Sequence, residues 1–405
     1  MESTSSSECP SNPGLSQNGG FRPGFHWKSL LDHPSENWHI WGWMLCLLCL
    51  VIMWIISITT VCKHLRNYYE PQIQRHKVRV LLYPPFYATL AWVSYLRYDY
   101  STTIMFFAAL VEAFAVTNLY LCLQAYLQPY RDEYEGVKEE ARPTVMPYIK
   151  VHVPSRWGMH YRIITDILVY QFPLWSVLDA FISIFAELKG HYCADSFSFS
   201  GAHVYLTIIN FVSLSIIISA LFTYLAVYKP EWKRAQAREH GKFWAIKGPI
   251  MVNFYIGTLL LGGLSYAGII HGTDGTQSSD GLAWSSEAVE NGLEVIIECV
   301  VMTVSMGLMT IYFNPKDSIE RGLNSQASLI AHGEFYYNDN DIGGNHQKLS
   351  FGAAFYDAYI NYIPEFFLNV FRCGKDSSEL AKKRARMRRE KKVESNNMDT
   401  AALNP

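Results

Sequence analysis

Long apolar runs alternate with polar connections along this chain. Seven of them are long enough to cross a ~30 Å hydrocarbon core at ~1.5 Å per residue. They fall at 40–62, 78–96, 101–127, 162–186, 203–227, 243–270 and 285–313. The second run contains Pro84-Pro85, and the fourth holds Asp166, Gln171 and Asp179. Proline inside a spanning helix is tolerated where neighbours satisfy the freed carbonyls, so the proline pair reads as a kink or as a break beside a site. The pattern predicts an all-α multi-pass membrane protein, a seven-transmembrane-helix bundle over 40–313. A disordered N-terminal tail over 1–39, rich in Ser, Gly, Pro and Asn, precedes it, and a cytosolic C-terminal tail follows.

Within that tail, 314–349 is polar and Gly-rich and reads as a flexible linker. Pattern then returns over 350–372. Phe351, Phe355, Tyr359, Tyr362, Phe366 and Val370 recur at helical spacing, with Phe367 beside them and Ser350 placed as an N-cap. A short amphipathic helix is expected there, broken near Ile363 by Pro364. Such a stripe needs a partner, and three are open: the membrane surface, the ends of the bundle, or a groove on a soluble protein. The last stretch, 373–405, is basic, with eight Lys/Arg and one acid between Lys382 and Lys392.

Net charge is −2, which points away from nucleic acid as a partner. The sign is segregated along the chain. Lys63, Arg66, Arg75, Lys77 and Arg79 follow the first run, Arg131 to Arg156 the third, and Lys229 to Lys242 the fifth. The alternate connections carry Arg97 and Lys189, and 271–285 has no basic residue beyond His271. By the positive-inside rule the N-terminus is lumenal or extracellular and the C-terminus cytosolic. Trp38, Trp41, Trp43 and Trp284 fit an interfacial belt on the outer side.

Polar residues inside the runs are the candidate chemistry. Glu112 is the one charged residue in the 27 residues from Ser101 to Leu127. A carboxylate in hydrocarbon costs at least ~2.5–3.5 kcal/mol and so must face inward. It lies ~17 Å from the start of its span, and Glu298 ~20 Å into the seventh. Glu290, Glu294 and Glu298 share one helical face. With Asn118 and Asp179 these acids make a candidate polar bundle interior: Glu112, Asn118, Asp179, Glu294 and Glu298. Acids at one depth can share a proton or bind a solute, or merely fix helix register. Cys46, Cys49, Cys122 and Cys299 read as small hydrophobes. His26, His33, His39 and His240 read as solvated. No HExxH, GxSxG or Walker loop occurs, so neither catalysis, a cofactor nor a metal is expected.

The run Val111-Glu112-Ala113-Phe114 to Asn118 and Leu121-Cys122-Leu123 resembles the signature of the organic solute transporter alpha / transmembrane protein 184 family. Gln74-Arg75, Val78-Arg79, Pro85, Tyr87, Trp92 and Ser94 are similar to its second span. Gly190, Tyr192 and Phe197 fit its fourth loop, and Lys242-Phe243 with Lys247 the start of its sixth span. Ile256 stands where that family usually has Gln, and Val301 where its seventh span carries an acid. The resemblance implies a seven-span bundle, transport of amphipathic organic solutes, and a small single-span partner subunit. It also extends to fungal vacuolar membrane proteins, the "has fused lysosomes" group. That likeness implies a vacuole membrane and recruitment of the ubiquitin-like autophagy protein by the 351–370 helix. Phe367-Leu368-Asn369-Val370 fits its loose aromatic-x-x-aliphatic pattern.

Overall fold

The structure, a computed structural model, describes residue 31 and residues 37–96, 101–134, 137–146, 149–189, 191–192, 199, 201–272, 286–321 and 348–361. Helices dominate: α1 (Trp38–Arg66), α2 (Pro71–Val80), α3 (Tyr83–Leu96), α4 (Ser101–Glu133), α5 (Met159–Leu188) and α6 (Ala202–Val227). Then follow α7 (Lys229–Arg234), α8 (Glu239–Val252), a π-helical stretch (Asn253–Leu261), α9 (Gly262–Tyr266) and α10 (Ser286–Tyr312). Between α4 and α5 a small hairpin pairs β1 (Thr144–Met146) with β2 (Ile149–Lys150). A tail element, α11 (Phe351–Phe355), runs into one π turn (Tyr356–Ile360).

Six helical segments among the described residues are long and apolar enough to cross a membrane: those starting at Trp38, Thr103, Met159, Ala202, Glu239 and Ala288. The second expected span differs. It is two helices, α2 and α3, and α3 alone has 14 residues. Chain chemistry explains the break. Pro84 and Pro85 lack the N–H groups that would bond Val80 O and Leu81 O in a continuous helix. Ser57 of α1 donates its hydroxyl to Leu81 O at 2.7 Å, filling one of the vacancies. The same device recurs at Pro249, which leaves Ala245 O without its helical donor; Ser305 of α10 supplies one at 2.6 Å.

α10 packs against α1, α3 and α8, while α4 lies between α3 and α5, and α5 runs on to α6. Most apolar residues on the outside of α1, α5 and α6 are exposed, as on a surface meant for lipid: Leu48, Ile55 and Ile58, then Ile164, Leu174, Phe185 and Ile208. Trp43 stacks on Trp92 at 5.7 Å, and the hydroxyl of Tyr95 donates to His39 O at 3.0 Å. α3 therefore ends beside the start of α1. His39 is itself buried, unlike the solvated tail residue expected from sequence.

The opposite end of the bundle is basic and tightly tied. Arg156 forms a bidentate pair with Glu139 (2.9 and 2.9 Å) and a bond to Glu231 (3.0 Å), pinning the hairpin region to α7. Arg321 grips Glu70 with two bonds of 3.0 and 2.9 Å. Lys77, Lys242 and Arg321 all sit over the ring of Tyr126, at 5.6, 5.1 and 4.9 Å. Lys77, Arg79 and Lys242, which the sequence placed in connecting loops, are buried. They bond within the fold, Lys77 to Ser318, Arg79 to Ala358 O and Lys242 to Ala237 O, and are not solvated surface charges.

Candidate functional site

Four helices bring polar groups together inside the bundle. α4 contributes Glu112 because the only charge in its apolar run must turn inward. α8 contributes Lys247, fully buried, whose ammonium sits 4.1 Å from the ring centre of Phe172 on α5. The two charges lie within electrostatic reach of one another. α10 adds Glu298, 3% exposed, and one turn away Glu294, which lies in the fields of both Glu298 and Glu290. α3 faces them with two phenols. Tyr87 donates to Glu298 Oε1 at 3.1 Å, and Tyr83 lies beside both Glu112 and Glu298.

Several of these groups are underused. The Nζ of Lys247, the hydroxyl of Tyr83 and both side-chain polar atoms of Asn253 have no hydrogen-bond partner among the described residues. Lys247 and Tyr83 are 0 and 1% exposed, and Asn253 is 7% exposed. A buried donor left unmet costs ~1–3 kcal/mol, so such groups in a native fold call for an occupant, water or a ligand.

Asn253 opens the nine-residue π-helical stretch. Wide π turns in otherwise α-helical segments are frequent at functional sites. Gly257 sits in the same stretch, and a Cβ there would collide with the carboxylate of Glu294. The glycine thus lets an acid of α10 lie directly on the backbone of the sixth apolar segment.

The structure divides the five residues expected as the polar interior. Glu112, Glu294 and Glu298 join the cluster. Asn118 faces the basic end, accepting from His76 Nδ1 at 3.0 Å and donating to Phe114 O at 2.9 Å. Asp179 faces α6, where its Oδ2 accepts from Asn210 at 2.7 Å, and Asn210 also accepts from Trp175 at 2.6 Å. These two brace neighbouring helices. Sequence reasoning passed over Lys247, Tyr83 and Tyr87 as site residues. Lys247 was visible as a charge inside the sixth run. Tyr87 stood out only as part of the family resemblance, and Tyr83 gave no signal, since a tyrosine in an apolar run is ordinary core.

Of the tail residues, Ser350 does cap α11, its Oγ accepting from Ala353 N at 3.4 Å. Phe351 and Phe355 point outward, while Tyr359 is packed against the bundle. Of the helix expected through 372, Tyr362, Phe366, Phe367 and Val370 lie outside the described residues.

A sequence model of the family described as "Organic solute transporter Ostalpha" matches residues 42–318. The chain belongs to that family. No solved structure matches it. The matched stretch takes in every residue of the polar cluster, from Tyr83 to Glu298, and stops short of the tail helix. This Ostalpha family member is therefore a multi-pass membrane protein of a solute-transporter family. Its Glu298 lies three residues before Val301, about one turn away along the last long helix.

Proposed function

We propose that this chain moves an amphipathic organic solute across a membrane, without chemical conversion, through the polar cluster of Glu112, Lys247, Glu294, Glu298, Tyr83 and Tyr87. The observation that carries the reading is the fully buried ammonium of Lys247, which has no hydrogen-bond partner among the described residues and lies in the field of the Glu112 carboxylate. A fixed structural ion pair would close to contact distance and saturate its donors. A transport site must instead keep donors and acceptors available to exchange between solute and water. Both signs of charge are present, which suits a solute with a polar head and an apolar body resting against Phe172.

In this reading residues 78–96 make a seventh crossing, with the proline break inside it, the N-terminus on the lumenal or extracellular face and the basic end in the cytosol. The direction of the Lys/Arg bias supports that orientation. A small single-span subunit is proposed as a partner on family grounds alone. The reading is tested by flux of labelled amphipathic organic acids and bases into vesicles containing the purified chain. Saturable uptake above protein-free vesicles supports it, and none refutes it.

Recruitment of the ubiquitin-like autophagy protein at a vacuolar membrane is the alternative. Its support is the outward position of Phe351 and Phe355. Against it, Tyr359 and Asp357 of the same helix are engaged by the bundle. Binding of that protein to the full-length chain, lost on Phe355→Ala, would favour this role.

A further inference from the structure

The segment from Leu349 to Ile360 has two sides, and the bundle uses one of them. Leu349 N bonds to Tyr68 O at 3.0 Å. The Tyr68 hydroxyl donates to Asp357 Oδ2 at 2.8 Å, and Arg79 donates to Ala358 O at 2.6 Å and Asp357 O at 3.3 Å. Ala354 and Ala358 are fully buried in this contact. On the other side Phe351, Phe355, Tyr356 and Ile360 are 48, 45, 56 and 51% exposed. Four large apolar side chains on so short a segment are a patch that needs a cover.

Their surroundings identify the cover. α11 packs on α1, and Tyr359 lies in the field of Cys62 near the end of that helix. Cys62 continues a stripe of α1 through Thr59, Ile58 and Ile55, with the two isoleucines 51 and 58% exposed. That stripe belongs to a candidate membrane span and lines an apolar groove with Trp54 and Trp92. The ring of Phe355 lies 5.1 Å from that of Tyr359. The exposed apolar flank of α1 thus leads toward the end of that helix on which the tail helix packs. Exposed Lys63, Arg66 and Lys348 flank it.

We propose that the outer face of 351–360 is seated in the interfacial layer of an anionic leaflet, while its inner face is clamped to the bundle. Aromatic rings favour the headgroup level, and each nearby Lys or Arg adds ~1 kcal/mol against anionic lipid. The segment then works as a bracket between the basic end and the bilayer, independently of any transport by the bundle.

A nitroxide at Phe355→Cys, in the full-length chain with Cys62→Ser, tests this in phosphatidylcholine–phosphatidylserine vesicles. Its spectrum is read as the difference from the equally treated chain that keeps Phe355. The expected result is preferential relaxation by oxygen over a water-soluble nickel chelate at 355, and the reverse at Lys348→Cys. Tyr356→Cys serves as a second probe should the first disturb packing, with the same expectation. Preferential relaxation by the chelate at 355 and 356 overturns the proposal and leaves this face to a soluble protein.

Discussion

The hydroxyl of Tyr87 donates to Oε1 of Glu298 over 3.1 Å, joining α3 to α10 inside the bundle. The bond makes Tyr87 a support for the acid as well as a wall of the polar cluster. Tyr87→Phe keeps the ring and removes the donor. It should destabilise the purified protein by roughly 1–3 kcal/mol, since a buried acceptor loses its partner. Thermal unfolding in detergent reads this, and an unchanged midpoint would show that the bond contributes nothing.

Ser305 and Pro249 form a linked pair, because the hydroxyl replaces the amide that proline lacks at Ala245 O. Ser305→Ala should cost about 1 kcal/mol in the native chain. With Pro249→Ala already present it should cost much less, as the new amide can reach the same carbonyl. A double-mutant cycle in thermal stability measures the coupling. Equal losses in both backgrounds would break the argument.

Arg79 fastens the tail helix by two backbone carbonyls, which are bonds to a charged donor. Such bonds are worth ~1.5–3 kcal/mol, so Arg79→Ala should raise the open population of 349–360 roughly tenfold to hundredfold. Limited proteolysis of the full-length chain should then cut this segment faster, with cleavage elsewhere unaltered.

His76 lies outside the long apolar helices and is buried, donating to Asn118. Burial holds its imidazole down to about 3 from the usual 6.5, opposed by the bond to Asn118 and aided by Arg79 and Arg75. The unfolded chain therefore takes up a proton between those two values that the folded chain refuses. This contribution is complete above pH ~6.5 and is lost as the pH falls, at up to ~1.4 kcal/mol per pH unit. Thermal midpoints of the native chain should drop more steeply with acidification than those of His76→Gln.

Much of this was legible in the sequence. Apolar run length gave the long helices to within a few residues, because hydrocarbon thickness sets that length. The lone charge of Glu112 gave an inward face. What the sequence hid was pairing between elements distant along the chain. Lys247 reads as the start of a helix until α4 is seen opposite it. Asp179 reads like Glu112 until Asn210 takes up its carboxylate. The tail stripe reads as one continuous aromatic face. The fold instead buries the small residues Ala354 and Ala358 and turns Phe351 and Phe355 outward. Close approach to α1 and α2 needs alanine and not phenylalanine, a requirement set by the receiving surface.

The central claim is that the Lys247–Glu112–Glu298 cluster carries solute. Its most direct test is initial uptake of labelled amphipathic organic ions by vesicles containing native, Lys247→Met or Glu298→Gln protein at equal, folded amounts. The account predicts at least about a tenfold loss in both variants, about 1.4 kcal/mol of lost stabilisation of the rate-limiting step, with thermal stability retained. Uptake equal to that of the native chain in both variants would contradict it.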